Sequence, residues 1–274
     1  ITWTCQSSFD VARDEELLNE MAEAGCRFIV LGLESVNPES IKETRKLQNK
    51  ANEYIDAIRR INRAGIQVYS SFIVGFDHDT LVEFDNIYRF SYEAELVYVM
   101  VSLLGTHKGT DLHERIKKEG RILRGNRKYL GGMFPVVHYM QMSQLDLFDR
   151  YYQTLDKLFQ WESIRERAVR LFEKGFFTRK YRSDQSGFFF KLRMTFILLW
   201  IYLLKPGKAK RKLFLEIIGL IKRGKIAIES AAIFLVTMEG FRWHLRILKK
   251  HLPEFRAEIK NIDKGPWKGS MLTK

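Results

Sequence analysis

Four polar clusters recur along the first 110 residues: Ser7-Ser8, Glu34-Ser35, Ser71 with Gly75, and Ser102–Gly105. A carboxylate such as Glu34 accepts two hydrogen bonds at once, as a ribose diol would offer. Gly75 leaves the backbone bare, so that a flat ligand can approach it closely. Lys46, twelve residues past Glu34, offers a cation for a carboxylate or a phosphate. Singly, each cluster reads as an ordinary strand-end turn, where Gly, Ser and Asp are common. Four in succession at corresponding places favour a shared ligand.

The elements that must position them are strands. Phe28–Leu33 is an apolar run between two helical patterns, which reads as a strand buried on both faces of a parallel α/β sheet. Further strands are expected at Thr2–Ser8, Ile66–Val74 and Leu96–Leu104. Helices are expected from Asp14 to Gly25, from Pro38, over Ala51–Ala64, over Leu81–Glu93 and over 111–119. This alternation gives four βα units with right-handed parallel crossovers, each strand ending in one of the polar clusters. Ligands of such sheets bind beyond the carboxyl ends of the strands. Four units are too few to close a barrel, and the chain opens on Ile1 inside a strand pattern. The expectation is therefore a fragment whose N-terminal part lies upstream.

From Arg121 the pattern changes. An irregular connection over 126–142 is long enough to cover the strand ends or to link domains. Helical periodicity alone follows, over 143–174, 187–204, 208–223 and 226–250, and residues 260–274 read as a disordered tail. The expected domains are 1–125, an α/β half-barrel, and 143–259, an all-α domain. Phe196–Leu204 is too short to span a bilayer and reads as a buried helix in preference to an interfacial one. The net charge of +13 is uneven: residues 160–274 hold 26 Lys/Arg against 10 Asp/Glu, the rest 20 against 23. Such asymmetry points to an anionic partner for the helical part, or to a solvated helical surface. Cys5 and Cys26 form no CxxC pair and read as free thiols of a reducing, cytoplasmic compartment.

Several segments in order, Trp3–Ala12, Ala24-Gly-Cys26, Gly32-Leu-Glu-Ser35, Lys46-Leu-Gln-Asn49, Gly65-Ile-Gln-Val68 and Ser71–Asp77, resemble the radical S-adenosylmethionine (SAM) enzymes. The likeness is greatest to the cobalamin-binding branch that includes methyltransferases such as the hopanoid methylases. It continues through Gly109-Thr110 and Glu119–Leu123. The resemblance implies part of a TIM-like (β/α) radical SAM barrel followed by a helical domain. It also implies roles. Glu34 and Ser35 would contact the ribose and amino-acid part of SAM, and Lys46 its carboxylate. Ser71, Ile73 and Gly75 would pack the adenine and hold the ribose. Leu103 and Leu104 would hydrogen-bond adenine through their backbone, and Ser7 and Ser8 would add polar contacts.

The departures carry as much weight. The family's Cys-x3-Cys-x2-Cys loop is absent, and so is the Asp-x-His-x-x-Gly of its cobalamin domain; both are expected upstream. Lys108 stands where the turn usually has proline. A [4Fe–4S] cluster needs cysteine thiolates, so this chain offers most of a SAM pocket without the means to make the radical. The resemblance implies a parent enzyme using SAM, the cluster and cobalamin to abstract hydrogen from, or methylate, an unactivated carbon of a small molecule or lipid. Its partners would be the missing N-terminal half and an electron donor such as flavodoxin or ferredoxin. The alternative is a non-catalytic basic module in which helices over 160–250 dock on a membrane surface, lipid headgroups or RNA.

Overall fold

The computed structural model describes residues 2–44, 49–123, 132–179, 188–204 and 207–262. Lys46, residues 126–131 of the expected connection and residues 263–274 of the expected tail lie outside the described residues. The first part runs β1 (Trp3–Ser7), α1 (Glu15–Glu23), β2 (Cys26–Glu34), α2 (Pro38–Glu43), α3 (Tyr54–Arg63), β3 (Gln67–Val74), α4 (Val82–Glu93), β4 (Tyr98–Leu103) and α5 (Asp111–Lys118). Among the described residues the sheet has the order β1-β2-β3-β4, with every neighbouring pair parallel. The helix starts follow from their caps. Asp14 accepts from Leu17 N, Asn37 from Glu39 N with Pro38 at the first position, and Thr110 from His113 N.

The two faces of the sheet differ. Ile29, Leu31, Val68, Phe72, Val99 and Val101 are buried on one face, where the Phe72 ring meets Phe90 of α4 edge-on. At about 1.5–3 kcal/mol for each fully buried side chain, this face dominates the burial energy of the sheet. The other face carries Val30, Gly32, Ser71, Ile73, Met100 and Ser102, paired across the strands; Met100 is 40% exposed. The β2 run is thus not buried on both faces as expected. Side chains of the helical part meet this second face at Tyr69 and Tyr98, toward the amino ends of the strands.

The helical part comprises α6 (Gln144–Leu158), α7 (Trp161–Glu173), α8 (Phe188–Leu199, continued by a π-helical turn Trp200–Leu204), α9 (Lys208–Lys222) and α10 (Ile228–Ile262). The single helix expected over 143–174 is broken at Gln160, which is extended. Arg167, fully buried, explains the corner: its guanidinium donates to Leu158 O at the end of α6 and to Leu96 O just before β4. Nor does the last helix stop at residue 250. It continues through Pro253 to Ile262, held by the Arg256–Asp149 ion pair (2.7 Å), by Phe255 against Phe148 and by buried Ile259. Lys260–Ile262 are therefore helix rather than tail.

The helices and the sheet share one core. Phe234 of α10 packs edge-on against Tyr98, and Phe241 lies 6.1 Å from the Tyr69 ring while stacking on Phe159 at 4.6 Å. No helix among the described residues is long and apolar enough to cross a membrane.

Candidate functional site

Strand β2 ends in an irregularity. The β2–β3 register slips between Gly32, opposite Ser71, and Glu34, opposite Phe72. Glu34 has φ +64°, and Ser35 N donates to Leu33 O at 2.8 Å, which closes a γ-turn on Glu34. A non-glycine residue held there costs on the order of 1–3 kcal/mol and persists only when its surroundings enforce it. Here they do. Tyr54 Oη donates to Leu33 O at 2.7 Å, and Asn49 Nδ2 donates to Gly32 O at 3.0 Å. Burial raises the Tyr54 phenol pKa, so the hydroxyl stays a donor. Ser35 Oγ accepts from Asn37 N at 3.0 Å, tying the turn to the start of α2. The bulge re-aims the Glu34 side chain relative to a regular strand.

Glu34 lines a cavity of about 1090 Å³ at the carboxyl ends of the strands, just above the roughly 300–1,000 Å³ usual for small-molecule sites. Ile73, Ser102, Leu103 and Leu104 form its sheet side. Thr106, His107 and Thr110 come from the turn after β4, and Lys42, Glu43 and Arg115 from α2 and α5. Gly132 and Val136 close it from the returning strap. That strap is the described part of the expected connection, and it lies over the strand ends. Leu103 N donates to Gly132 O at 2.6 Å, and a bridge joins Val137 to Ile122. A Cβ on Gly132 would sit 2.8 Å from Ser102 Cβ, and φ is +76°, so only glycine fits this crossing.

One wall of the cavity is a charge network. Asp77 pairs with Arg115 and, at 2.8 Å, with the buried guanidinium of Arg121. Burial pushes the Asp77 carboxyl up, but the two guanidiniums outweigh it and hold its pKa below the usual range. Glu43 accepts from Asp77 N (3.1 Å) and His78 N (3.2 Å) and, through its bond to the His78 ring, raises the histidine pKa. Beneath this turn Asp79 is fully buried. It accepts from Gly75 N (2.9 Å), Phe76 N (3.1 Å) and the Ser40 hydroxyl. Burial raises its pKa to about 6.

The expected site residues divide as follows. Glu34, Ile73, Leu103 and Leu104 meet at the cavity. Ser71 shares the open sheet face beside Gly32. Gly75 has φ +124°, and the space a Cβ would need is filled by Tyr139, 2.5 Å away, so in this structure its close neighbour is a ring of the strap. The N–H groups of Leu103 and Leu104 are engaged, the latter with Val74 O at 2.8 Å. Ser7 lies opposite Leu31, Ser8 O accepts from Val11 N, and Ser35 is buried; none of the three lines the cavity. Lys46 lies outside the described residues, and the cations that do line the cavity are Lys42 and Arg115. Sequence reasoning missed Lys42, Glu43 and Arg115 because charged residues on short helices look like solvated faces. It also missed the anchoring roles of Asn49 and Tyr54. Their spacing after Glu34, one helix on from the strand end, was the available signal.

Residues 2–91 match the radical SAM superfamily, and residues 110–254 match a domain of unknown function, DUF4070. An uncharacterized methyltransferase of Synechocystis is 28% identical over 62% of this chain and 32% of that protein. The hopanoid C-2 methylase of Rhodopseudomonas palustris is 26% identical over 61% of this chain and 32% of its own length. A solved cobalamin-dependent S-adenosylmethionine radical enzyme, OxsB with aqua-cobalamin and S-adenosylmethionine bound, aligns at TM-score 0.41 and 14% identity. That alignment covers 95% of this chain and 43% of that one. The chain spans about a third of the length of the curated relatives it matches. Because the second match covers more than half of the chain, the chain belongs to the DUF4070 family, with a stretch similar to the radical SAM superfamily ahead of it.

Proposed function

We propose that this chain forms the ribose- and amino-acid-binding side of a SAM pocket in a cobalamin-dependent radical SAM methyltransferase or a related carbon-bond-forming enzyme. The observation that carries the reading is Glu34. A carboxylate held in a strained turn at the edge of a nucleoside-sized cavity suits the hydroxyls of a vicinal diol. Ile73 gives an apolar wall for a base, and Ser102 a hydroxyl beside it. Lys42 and Arg115 stand on the same cavity, where a ligand carboxylate needs a cation. When bound, SAM supplies a methyl group or, after one-electron reduction, the capacity to take hydrogen from an unactivated carbon.

The iron–sulfur cluster does not fit this chain. The sequence has two cysteines, a buried Cys26 and a half-buried Cys5, both free thiols. Burial, and then Cys5, push the Cys26 thiol up to about 12, the reverse of what a thiolate ligand needs. Among the described residues no group of three His, Cys, Asp or Glu could hold a metal ion. The chain's own contribution is to bind and orient SAM and to exclude water from it. The cluster, cobalamin and a reductant such as flavodoxin or ferredoxin complete the proposed enzyme, whose substrate is a small molecule or lipid.

Calorimetric titration of SAM into the protein carrying this chain tests the reading. Glu34→Ala is expected to weaken SAM binding by about tenfold, which is about 1.4 kcal/mol. Unchanged affinity would leave Glu34 as a strand-end turn residue and overturn the assignment.

A further inference from the structure

Helices α8 and α9 present a surface that the cavity does not use. From Gln185 to Leu215 the sequence holds seven Lys/Arg and neither Asp nor Glu. Within this stretch Phe196 (63%), Trp200 (53%) and Leu204 (71%) are exposed. Their spacing of four residues puts them on one stripe of α8 and its π-helical turn. The run expected to be a buried helix therefore turns one apolar side outward. Its other side is anchored: Tyr202 is buried, donates to Leu235 O at 2.7 Å and stacks on Phe214 of α9 at 5.4 Å.

Four residues past Leu204, α9 opens a second outward stripe, Lys208, Arg211, Lys212 and Leu215, at i, i+3, i+4 and i+7. Leu213, Phe214, Ile217 and Leu220 of the same helix are buried. The acid that borders the stripe, Glu216, is bound by Arg165 at 3.0 Å. An exposed apolar stripe is thus followed directly in the chain by an exposed cationic one, and the buried Tyr202–Phe214 contact ties the two helices together behind them.

We propose that α8 and α9 dock the protein on an anionic lipid bilayer, with Phe196, Trp200 and Leu204 entering the acyl boundary and Lys208, Arg211 and Lys212 meeting headgroup phosphates. Each basic residue near such a surface adds electrostatic attraction, and the apolar stripe adds buried area. Lipid is favoured over RNA because Leu204 and Leu215 have no ring on which a base could stack, whereas hydrocarbon accepts aliphatic and aromatic side chains alike. The contact is interfacial, since α8 with its turn is short of the length needed to cross. It stands independently of the SAM pocket.

Flotation of the full chain with vesicles of phosphatidylcholine, alone or with about 30 mol % phosphatidylserine, tests it. The chain is expected to float with the anionic vesicles, and less so as NaCl rises from about 0.1 M to about 0.5 M. The triple variant Phe196→Ser, Trp200→Ser, Leu204→Ser and the charge reversal Lys208→Glu, Arg211→Glu, Lys212→Glu should each lose at least tenfold, with far-ultraviolet circular dichroism unchanged. Trp200→Phe keeps an apolar ring, so it should still float but lose the blue shift of tryptophan emission on vesicles. Absence of flotation, flotation untouched by both surface variants, or a blue shift that persists in Trp200→Phe would each overturn the proposal. So would binding to polyuridylate without binding to vesicles.

Discussion

Glu34 is the residue where local cost and ligand chemistry coincide. Glycine would hold φ +64° without strain, so Glu34→Gly is expected to raise stability by about 1 kcal/mol while SAM affinity falls at least tenfold. Chemical denaturation and titration on the same variant check both signs; a destabilised variant would show that the turn is not strained. Asp79 gives a pH prediction. Its pKa in the fold, about 6, lies above that of an exposed aspartate. The unfolded chain therefore loses the proton first as pH rises, and stability contributed below pH ~4 is lost through about pH 6, on the order of 2–3 kcal/mol. Asp79→Asn keeps an acceptor for Gly75 N and Phe76 N and should flatten that segment of the stability–pH curve. An unchanged slope in Asp79→Asn would assign the dependence to another group.

At the scale of elements, the strands and the α1–α5 helices were legible because their signals are local. Apolar runs mark the strands, and Asp14, Asn37-Pro38 and Thr110 fix where α1, α2 and α5 start. The corner at Gln160 was not legible, because its cause is a long-range bond from Arg167 to Leu96 O, 71 residues away. The strap was readable only as a long irregular connection. What aims it is the fit of Tyr139 against Gly75 and of Gly132 against Ser102, neither of which has a sequence pattern. Arg167→Met should cost about 2–4 kcal/mol, since it strands buried carbonyls at Leu96 and Leu158. A cost below about 0.5 kcal/mol, the range of ordinary surface changes, would show that the corner does not depend on the guanidinium. Gly75→Ala meets both a positive φ and the Tyr139 ring, and its melting temperature should fall by several degrees.

For the whole molecule, the change of pattern divides the sequence into an α/β half-barrel over 1–125 and an all-α domain over 143–259, yet the core is continuous. Tyr98 with Phe234, Tyr69 with Phe241, and Arg167 with Leu96 join sheet to helices. Sheet and helices should therefore melt in a single calorimetric transition; two resolved transitions would separate them. The half-open sheet face and the cavity at its strand ends are where this continuity stops, and there the ligand is proposed to sit. The claim that Glu34 receives the ribose of SAM is tested most directly by a double-mutant cycle. SAM and its 2′-deoxyribose analogue would be titrated against the unaltered protein and Glu34→Gln. Coupling of about 1–2 kcal/mol between the carboxylate and the hydroxyl is the expected result; additive losses, with coupling near zero, would contradict the assignment.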